Sequence, residues 1–246
     1  MRIFAKNFEM YNYLFPSLAL FLLLASCQPS VEELFQAGVS SLEEQNYAES
    51  ITYLDRLVER DSSHAAAWNV RGVAFFQQGA LDEAIESFTK SIKLDSLNYK
   101  PFFNRGNAWM EKQAYQEALI DYNRANGLDF QQSDIYYNRG LSLLGLEMYE
   151  DALVDFDMAL QANPEQPAVL FNKAKAQLGN NDPVNAIASL NEVVRLDQRN
   201  ASAYYLLGVT EMSALGNKEK GCTQLKMALS LGYTQAKEWV DEFCEE

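Results

Sequence analysis

A small residue recurs every 34 positions along most of this chain. The series is Gly38, Gly72, Gly106, Gly140, Ala174 and Gly208. Large apolar residues keep the same period four positions before the small residue and sixteen after it, as Trp68 and Phe88 do around Gly72. A fixed period of this length indicates stacked repeats, because each short unit has an apolar face that only its neighbour can cover. The period therefore predicts a one-dimensional stack instead of a single compact core.

Within each unit the apolar residues recur at spacings of three and four, which is the period of a helix. Only 12 Gly and 6 Pro occur in 246 residues, which suits helices better than a turn-rich β fold. We place the starts of the repeats near residues 31, 65, 99, 133, 167 and 201. Residues 233–243 carry apolar positions on one side, which predicts a helix that covers the last repeat.

These columns resemble the tetratricopeptide repeat (TPR) family, whose 34-residue unit has the pattern W-x2-L-G-x2-Y followed by A-x3-F, A and P. Trp68, Gly72 and Phe75 match the first half of that pattern, and Ala84 and Phe88 match the second half. The resemblance implies an all-α, right-handed solenoid of about six helix–turn–helix repeats. The repeat domain would span residues 31–246 and end in the capping helix.

The family's members usually bind proteins or peptides on the concave face of the solenoid, which positions two, five, nine and twelve of each first helix line. Packing within the repeat is the alternative explanation for some of the aromatic residues at these positions. The resemblance implies a partner-binding concave face made of Phe35, Asn69, Val73, Phe76, Lys100, Phe103, Asn107, Met110, Tyr137, Leu141, Leu144, Phe171, Lys175, Tyr205 and Met212.

The N-terminus differs from the repeats and indicates export. Arg2 and Lys6 precede the uninterrupted apolar run 18–25, which is too short to span a bilayer as a helix. Residues 24–27, Leu-Ala-Ser-Cys, resemble the lipobox of bacterial lipoproteins, in which the peptidase cuts before a lipid-bearing Cys. The resemblance implies a signal peptide over 1–26, a lipidated Cys27 and a tether over 27–30. The alternative is an ordinary secretion signal with a Cys near its end.

Charge and residue types exclude several classes of function. The chain carries 34 acidic and 20 basic side chains, a net charge of −14, which argues against nucleic acid as a partner. The only His, His64, falls in a connection between repeats, where we expect a solvated residue. No catalytic motif, metal-binding motif or phosphate loop occurs, so we expect neither an enzyme nor a cofactor.

Cys222 and Cys244 are the remaining thiols. An exported protein meets an oxidising compartment, so the two can form a disulfide if the capping helix lies beside the last repeat. The end of the chain also resembles the tail of TPR lipoproteins of the Bacteroidetes, where a G-C-x-x-L-K-x-A-x-x-L-G-Y segment precedes a terminal Cys. A Cys222–Cys244 disulfide and two unpaired thiols both remain open.

Together these features predict a membrane-anchored TPR scaffold that binds proteins or peptides at the bacterial cell envelope, facing the periplasm from the outer membrane, with exposure at the cell surface as the alternative. Envelope assembly, secretion and motility are the processes that the resemblance suggests. The alternative is a lipoprotein that captures a glycan or peptide for an outer-membrane transporter. Such relatives carry large insertions, for which the nearly unbroken 34-residue period leaves no room.

Overall fold

The structure, a computed structural model, describes residues 28–244. The signal peptide (1–26) and the lipidated Cys27 expected from the sequence lie outside the described residues. Within 28–244 the elements are helices α1 Val31–Glu43, α2 Tyr47–Arg60, α3 Ala65–Gln77, α4 Leu81–Leu94, α5 Tyr99–Glu111, α6 Tyr115–Leu128, α7 Ser133–Gly145, α8 Tyr149–Ala162, α9 Pro167–Gly179, α10 Pro183–Leu196, α11 Ala201–Ser213, α12 Lys218–Ser230 and α13 Ala236–Phe243.

Consecutive helices pair as antiparallel hairpins, α1 with α2 through α11 with α12, and each hairpin packs on the next. We call the odd-numbered helices α1–α11 the first helices and the even-numbered ones the second helices. The first helices begin at Val31, Ala65, Tyr99, Ser133, Pro167 and Ala201, the residues from which the sequence repeats were counted. The predicted all-α stack of helical hairpins is confirmed.

The periodic glycines allow the two helices of each hairpin to pack closely. A Cβ atom on Gly106 would lie 2.7 Å from the Tyr122 ring, and one on Gly140 would lie 2.8 Å from the Phe156 ring. Both rings are fully buried. The small residue on the first helix therefore makes room for the large residue sixteen positions later on the second helix, which explains the two columns seen in the sequence.

The turns inside the hairpins repeat as well. One residue of each turn has a positive φ, at Gln45, Gly79, Gln113, Glu147, Asn181 and Gly216. Two of these six are glycines, so four turns hold an ordinary residue in the left-handed region, at about 1 kcal/mol each. The connections between hairpins use a different device, in which the Asp95 side chain accepts a hydrogen bond from the Leu97 N–H, and Asp61, Asp129 and Asp197 do the same two residues ahead.

The capping helix α13 begins at Ala236, three residues later than the sequence predicted. Gly232 has φ +93° and ends the preceding helix, and residues 233–235 form a turn before α13 starts. Ala236 and Val240 are buried against Leu225 and Ala228 of α12, so α13 covers the last hairpin as expected. No helix among residues 28–244 is long and apolar enough to cross a membrane.

Candidate binding face

The first helices form the inner layer of the stack. From α1 to α9, each first helix contacts the next first helix directly, whereas no two successive second helices make comparable contact. Because one layer is packed more closely than the other, the stack curves with the first helices on its concave side. We call the surface made by positions two, five, six, nine and twelve of the first helices the inner face.

All the residues that the family resemblance assigned to the concave face lie on first helices. Lys100 and Lys175 are exposed, and each of the others is half-buried. Their aromatic rings contact the layer behind them. Phe103 packs on Tyr122 with ring centroids 5.9 Å apart, and Tyr205 packs on Tyr233 at 4.8 Å. Packing thus positions these side chains while leaving part of each one accessible.

Polar groups behind the inner face orient its amide side chains. The Tyr122 hydroxyl donates a 2.7 Å hydrogen bond to Asn107 Oδ1. Burial, with the charges of Asp121 and Glu111, raises the pKa of Tyr122, so its hydroxyl keeps the proton that it donates. Asn107 is left with the two N–H groups of its amide for other partners.

A row of asparagines at position six runs along the inner face. Asn104 Nδ2 donates to Asn69 Oδ1 at 3.0 Å, and Asn172 Nδ2 donates to the Tyr137 hydroxyl at 3.2 Å. Burial raises the pKa of Tyr137, and the hydrogen bond with Asn172 opposes that rise. Between them, Asn138 is half-buried, and its side-chain amide makes no hydrogen bond with the rest of residues 28–244.

Sequence reasoning missed Asn104, Asn138 and Asn172 as members of this face. They lie 34 residues apart, so the signal was present in the sequence. Their importance comes from the structure, which brings each one beside the preceding first helix.

The inner face carries little charge. At the five inner positions of the second to fifth repeats, the ionised residues are Lys100, Asp134 and Lys175. The remainder are aliphatic, aromatic or amide side chains, although the chain as a whole has a net charge of −14. The acidic residues therefore lie mostly on the other surfaces.

The basic residues at position seven are structural. Arg105 donates to both carboxylate oxygens of Asp121, at 2.8 and 2.7 Å, and to Thr89 of the preceding repeat at 2.9 Å. Arg139 contacts Asp155 and Asn123 in the same way. Each Arg therefore pairs with the carboxylate sixteen residues later, so these guanidinium groups are not free to bind an anionic ligand.

His64 differs from the expectation of a solvated connecting residue. It is half-buried, its ring lies 4.9 Å from the Phe35 ring, and its Nδ1 accepts a hydrogen bond from the Ala67 N–H at 3.1 Å. It therefore caps the N-terminus of α3, a role that Ser, Asp and Asn fill more often.

Cys222 and Cys244 form a disulfide in the structure, with their Cα atoms 5.5 Å apart. The bond joins α12 to the end of α13 and so fastens the cap to the last repeat. Elsewhere in the described chain, no group of three or more His, Cys, Asp or Glu side chains is arranged to hold a metal ion.

The comparisons with known proteins agree with this geometry. Residues 35–99 and 171–221 match one tetratricopeptide repeat profile, and residues 133–166 match another, which together is more than half of the chain. The chain belongs to the tetratricopeptide repeat family. Proteins of this family mediate protein–protein interactions and are typically not enzymes. No curated protein matches the chain by sequence.

Solved TPR structures share the fold. PilF of Pseudomonas aeruginosa is 23% identical, with a TM-score of 0.70 over 86% of this chain and 97% of that one. YrrB, described as a TPR protein with an unusual peptide-binding site, is 22% identical, with a TM-score of 0.66 over 73% of this chain and 92% of that one. The C-terminal part of a TPR protein from Cytophaga hutchinsonii is 17% identical, with a TM-score of 0.69 over 85% and 83%. At these identities the likeness shows the fold alone.

Proposed function

We propose that this TPR protein is a lipid-anchored scaffold of the bacterial cell envelope that holds an extended segment of a partner protein on its inner face. The observation that carries the proposal is the composition of that face. Half-buried aromatic and Met side chains alternate there with amides whose hydrogen-bonding groups are only partly used.

The unused amide groups match a peptide backbone. Asn69 accepts a hydrogen bond through Oδ1, and its two N–H groups remain available to a ligand. Asn104 donates through Nδ2, and its Oδ1 remains available. Asn138 has both its Oδ1 and its N–H groups available. A peptide in an extended conformation offers N–H and C=O groups in alternation, so it pairs with a row of mixed donors and acceptors. The neighbouring rings of Phe103 and Tyr137 would contact its apolar side chains.

The low charge of the inner face favours a neutral, partly apolar segment over a strongly charged one. Burying a charged group without a partner is costly, and the ionised residues available there are few. YrrB, which shares the fold, is described as having a peptide-binding site, which supports a peptide as the ligand class. The connections between hairpins are four residues long, as in 95–98, so they contain no inserted segment of the kind that a glycan-capturing protein carries.

Photocrosslinking in membranes of a producing bacterium tests the proposal. A photoreactive phenylalanine at Phe103 or Tyr137 should give adducts with a defined partner, identified by mass spectrometry. The same group at Ile120, which is 59% exposed on a second helix, is the control position. Adducts of equal yield and identity from all three positions would overturn the assignment of the inner face.

Asn138→Leu tests the inner face without disturbing the fold, because Asn138 makes no side-chain hydrogen bond within residues 28–244 and its loss should not unfold the chain. We expect this variant to lose crosslinking at Tyr137 while its circular dichroism stays unchanged.

The lipid anchor has its own test. Cys27→Ser should abolish incorporation of labelled fatty acid and release the protein from the membrane fraction, since acyl chains supply the binding energy. Gln28 stands where enteric inner-membrane lipoproteins carry Asp, which favours the outer membrane as the site of the anchor. Sucrose-gradient separation of the two membranes distinguishes these locations.

A further inference from the structure

The two most exposed large apolar side chains in the described part of the chain lie at one edge of the stack. Leu97 is 77% exposed, and Phe130 is 68% exposed. Leu97 belongs to the connection between α4 and α5, and Phe130 belongs to the next connection, between α6 and α7. We call this edge the loop edge, and it consists of connections 61–64, 95–98, 129–132, 163–166 and 197–200.

The N-terminal end of the described chain lies at the same edge. The first helices run parallel to one another and all begin at the loop edge, α1 included. Arg60, the last residue of α2, donates hydrogen bonds to the Pro29 carbonyl and to the Gln28 side chain. These contacts hold residues 28–29 beside the first connection, so the described part of the chain begins at the loop edge.

Charge is distributed unequally between the two edges. Leu97 is flanked by Lys93 and Lys100, which are exposed and form no ion pair with another residue of 28–244. Asp95 lies in the same connection and accepts a hydrogen bond from the Leu97 N–H, and Asp129 and Asp134 lie on either side of Phe130, so the loop edge carries charges of both signs.

The opposite edge, where each first helix turns into its second helix, is acidic in the first four repeats. We call it the turn edge. Its one cation over those repeats, Lys112, is paired with Asp82. Its carboxylates are Glu43, Glu44, Glu49, Asp82, Glu83, Glu111, Glu117, Glu147, Glu150 and Asp151.

We propose that the loop edge rests on the membrane surface, with Leu97 and Phe130 among the lipid headgroups and the turn edge directed away. This inference rests on the proposed lipid anchor at Cys27, which would attach one residue before Gln28. Exposed apolar side chains held that close to a bilayer are stabilised by partial burial in the interface. Carboxylates are repelled by anionic lipid within a Debye length of about 8 Å, so the acidic edge favours the far side.

The orientation has a consequence for binding. If the loop edge faces the bilayer, the helices stand upright and the stack runs along the membrane surface. The inner face then opens sideways, so that a partner approaches along the membrane plane and its access is not blocked by lipid.

The experiment uses the full lipidated chain in vesicles that contain phosphatidylethanolamine and phosphatidylglycerol. An environment-sensitive fluorophore is attached at Leu97→Cys or Phe130→Cys, and at the matched turn-edge positions Gln78→Cys and Gln116→Cys, which are also exposed. We expect blue-shifted emission and quenching by spin-labelled lipid at the first two positions only. Equal spectra and equal quenching at all four positions would overturn the orientation.

A second pair of variants tests whether Leu97 and Phe130 themselves hold the loop edge on the bilayer. With the fluorophore at Ser96→Cys, the double change Leu97→Asp with Phe130→Asp should reduce lipid quenching. Ile120→Asp with Val154→Asp, two exposed residues on second helices, should leave it unchanged. Quenching that survives the first double change would show that the two apolar side chains do not hold the edge on the bilayer.

Fatty-acid labelling is measured on the same samples, so that failure of the lipid anchor can be distinguished from failure of the proposed orientation. A chain that carries no acyl group at Cys27 overturns the anchor and the orientation together. An acylated chain whose four labels behave alike overturns the orientation alone and leaves the anchored scaffold standing.

Discussion

The Arg139 guanidinium binds both oxygens of the Asp155 carboxylate, at 2.7 and 2.6 Å. It also donates to Asn123 on the second helix of the preceding repeat at 3.1 Å. The hydrogen bond to Asp155 raises the pKa of Arg139, which therefore stays charged. The Arg139 side chain on a first helix thus joins the second helix of its own repeat to the second helix of the preceding repeat. The Arg at position seven makes the same connection in repeats two, three and four.

Removing Arg139 should be costly, because the Asp155 side chain is only 2% exposed and would be left as a buried charge without a partner. We expect Arg139→Met to lower the free energy of unfolding by about 3–5 kcal/mol, measured by urea denaturation with circular dichroism. The control is Lys173→Met, whose partner Asp157 is 55% exposed, so its loss should be below about 1 kcal/mol. Equal losses in both variants would contradict the structural role of the Arg139 pair.

Two helical glycines provide a second matched test. A Cβ on Gly106 would meet the buried Tyr122 ring at 2.7 Å, whereas one on Gly127 would meet nothing within 4 Å. We expect Gly106→Ala to destabilise the protein by about 1–3 kcal/mol through overpacking. Gly127→Ala should stabilise it by up to about 1 kcal/mol, because alanine is the better helix former. Thermal unfolding of both variants checks the opposite signs.

Tyr122 should make stability depend on alkaline pH. Its pKa is raised above the ordinary 10.0 in the folded state, so above that pH the unfolded chain loses a proton that the folded chain keeps. Tyr122 should therefore not change the free energy of unfolding below pH 10. Above pH 10 the free energy of unfolding should fall by about 1.4 kcal/mol per pH unit. Urea denaturation across this range should show a shallower fall for Tyr122→Phe. Parallel profiles for the two proteins would exclude this contribution.

The Cys222–Cys244 disulfide should stabilise the C-terminal end locally. It closes a loop with a sequence separation of 22, for which chain entropy predicts about 3 kcal/mol. Replacing both Cys by Ser should speed amide hydrogen exchange in α13 and α12 and leave α1 and α2 unchanged, because each repeat contacts only its neighbours. Exchange that is equal before and after the change would show that α13 is held by packing alone.

Much of the fold follows from local patterns. The starts of the hairpins, the small residue that faces a large ring, and the pairing of Arg139 with Asp155 all repeat at one period, so the sequence displays them directly. The beginning of α13 was predicted three residues too early, because an apolar pattern does not show that the chain first turns at Gly232. His64 was assigned to solvent because nothing near it in sequence indicates that it reaches Phe35 in the preceding repeat.

The candidate site was predictable in part for the same reason. Positions such as Phe103 and Tyr137 follow from the repeat register, while the roles of Asn104 and Asn172 depend on contact with the preceding first helix. Those contacts join residues 35 positions apart, and a period of 34 alone does not say which of two neighbouring side chains will meet.

The amino-acid sequence by itself determined the repeat, its helical hairpins and the family, since these depend on spacings of 34 and on periods of three and four. Only the tertiary structure decided which neighbouring residue each polar side chain contacts. Arg71 illustrates this, because it binds Asp55 of the preceding repeat at 2.6 Å, while Ser87 stands where the third and fourth repeats have Asp. The physical reason is that a first helix lies between two second helices, so its polar side chains pair with whichever one supplies the better-placed charge.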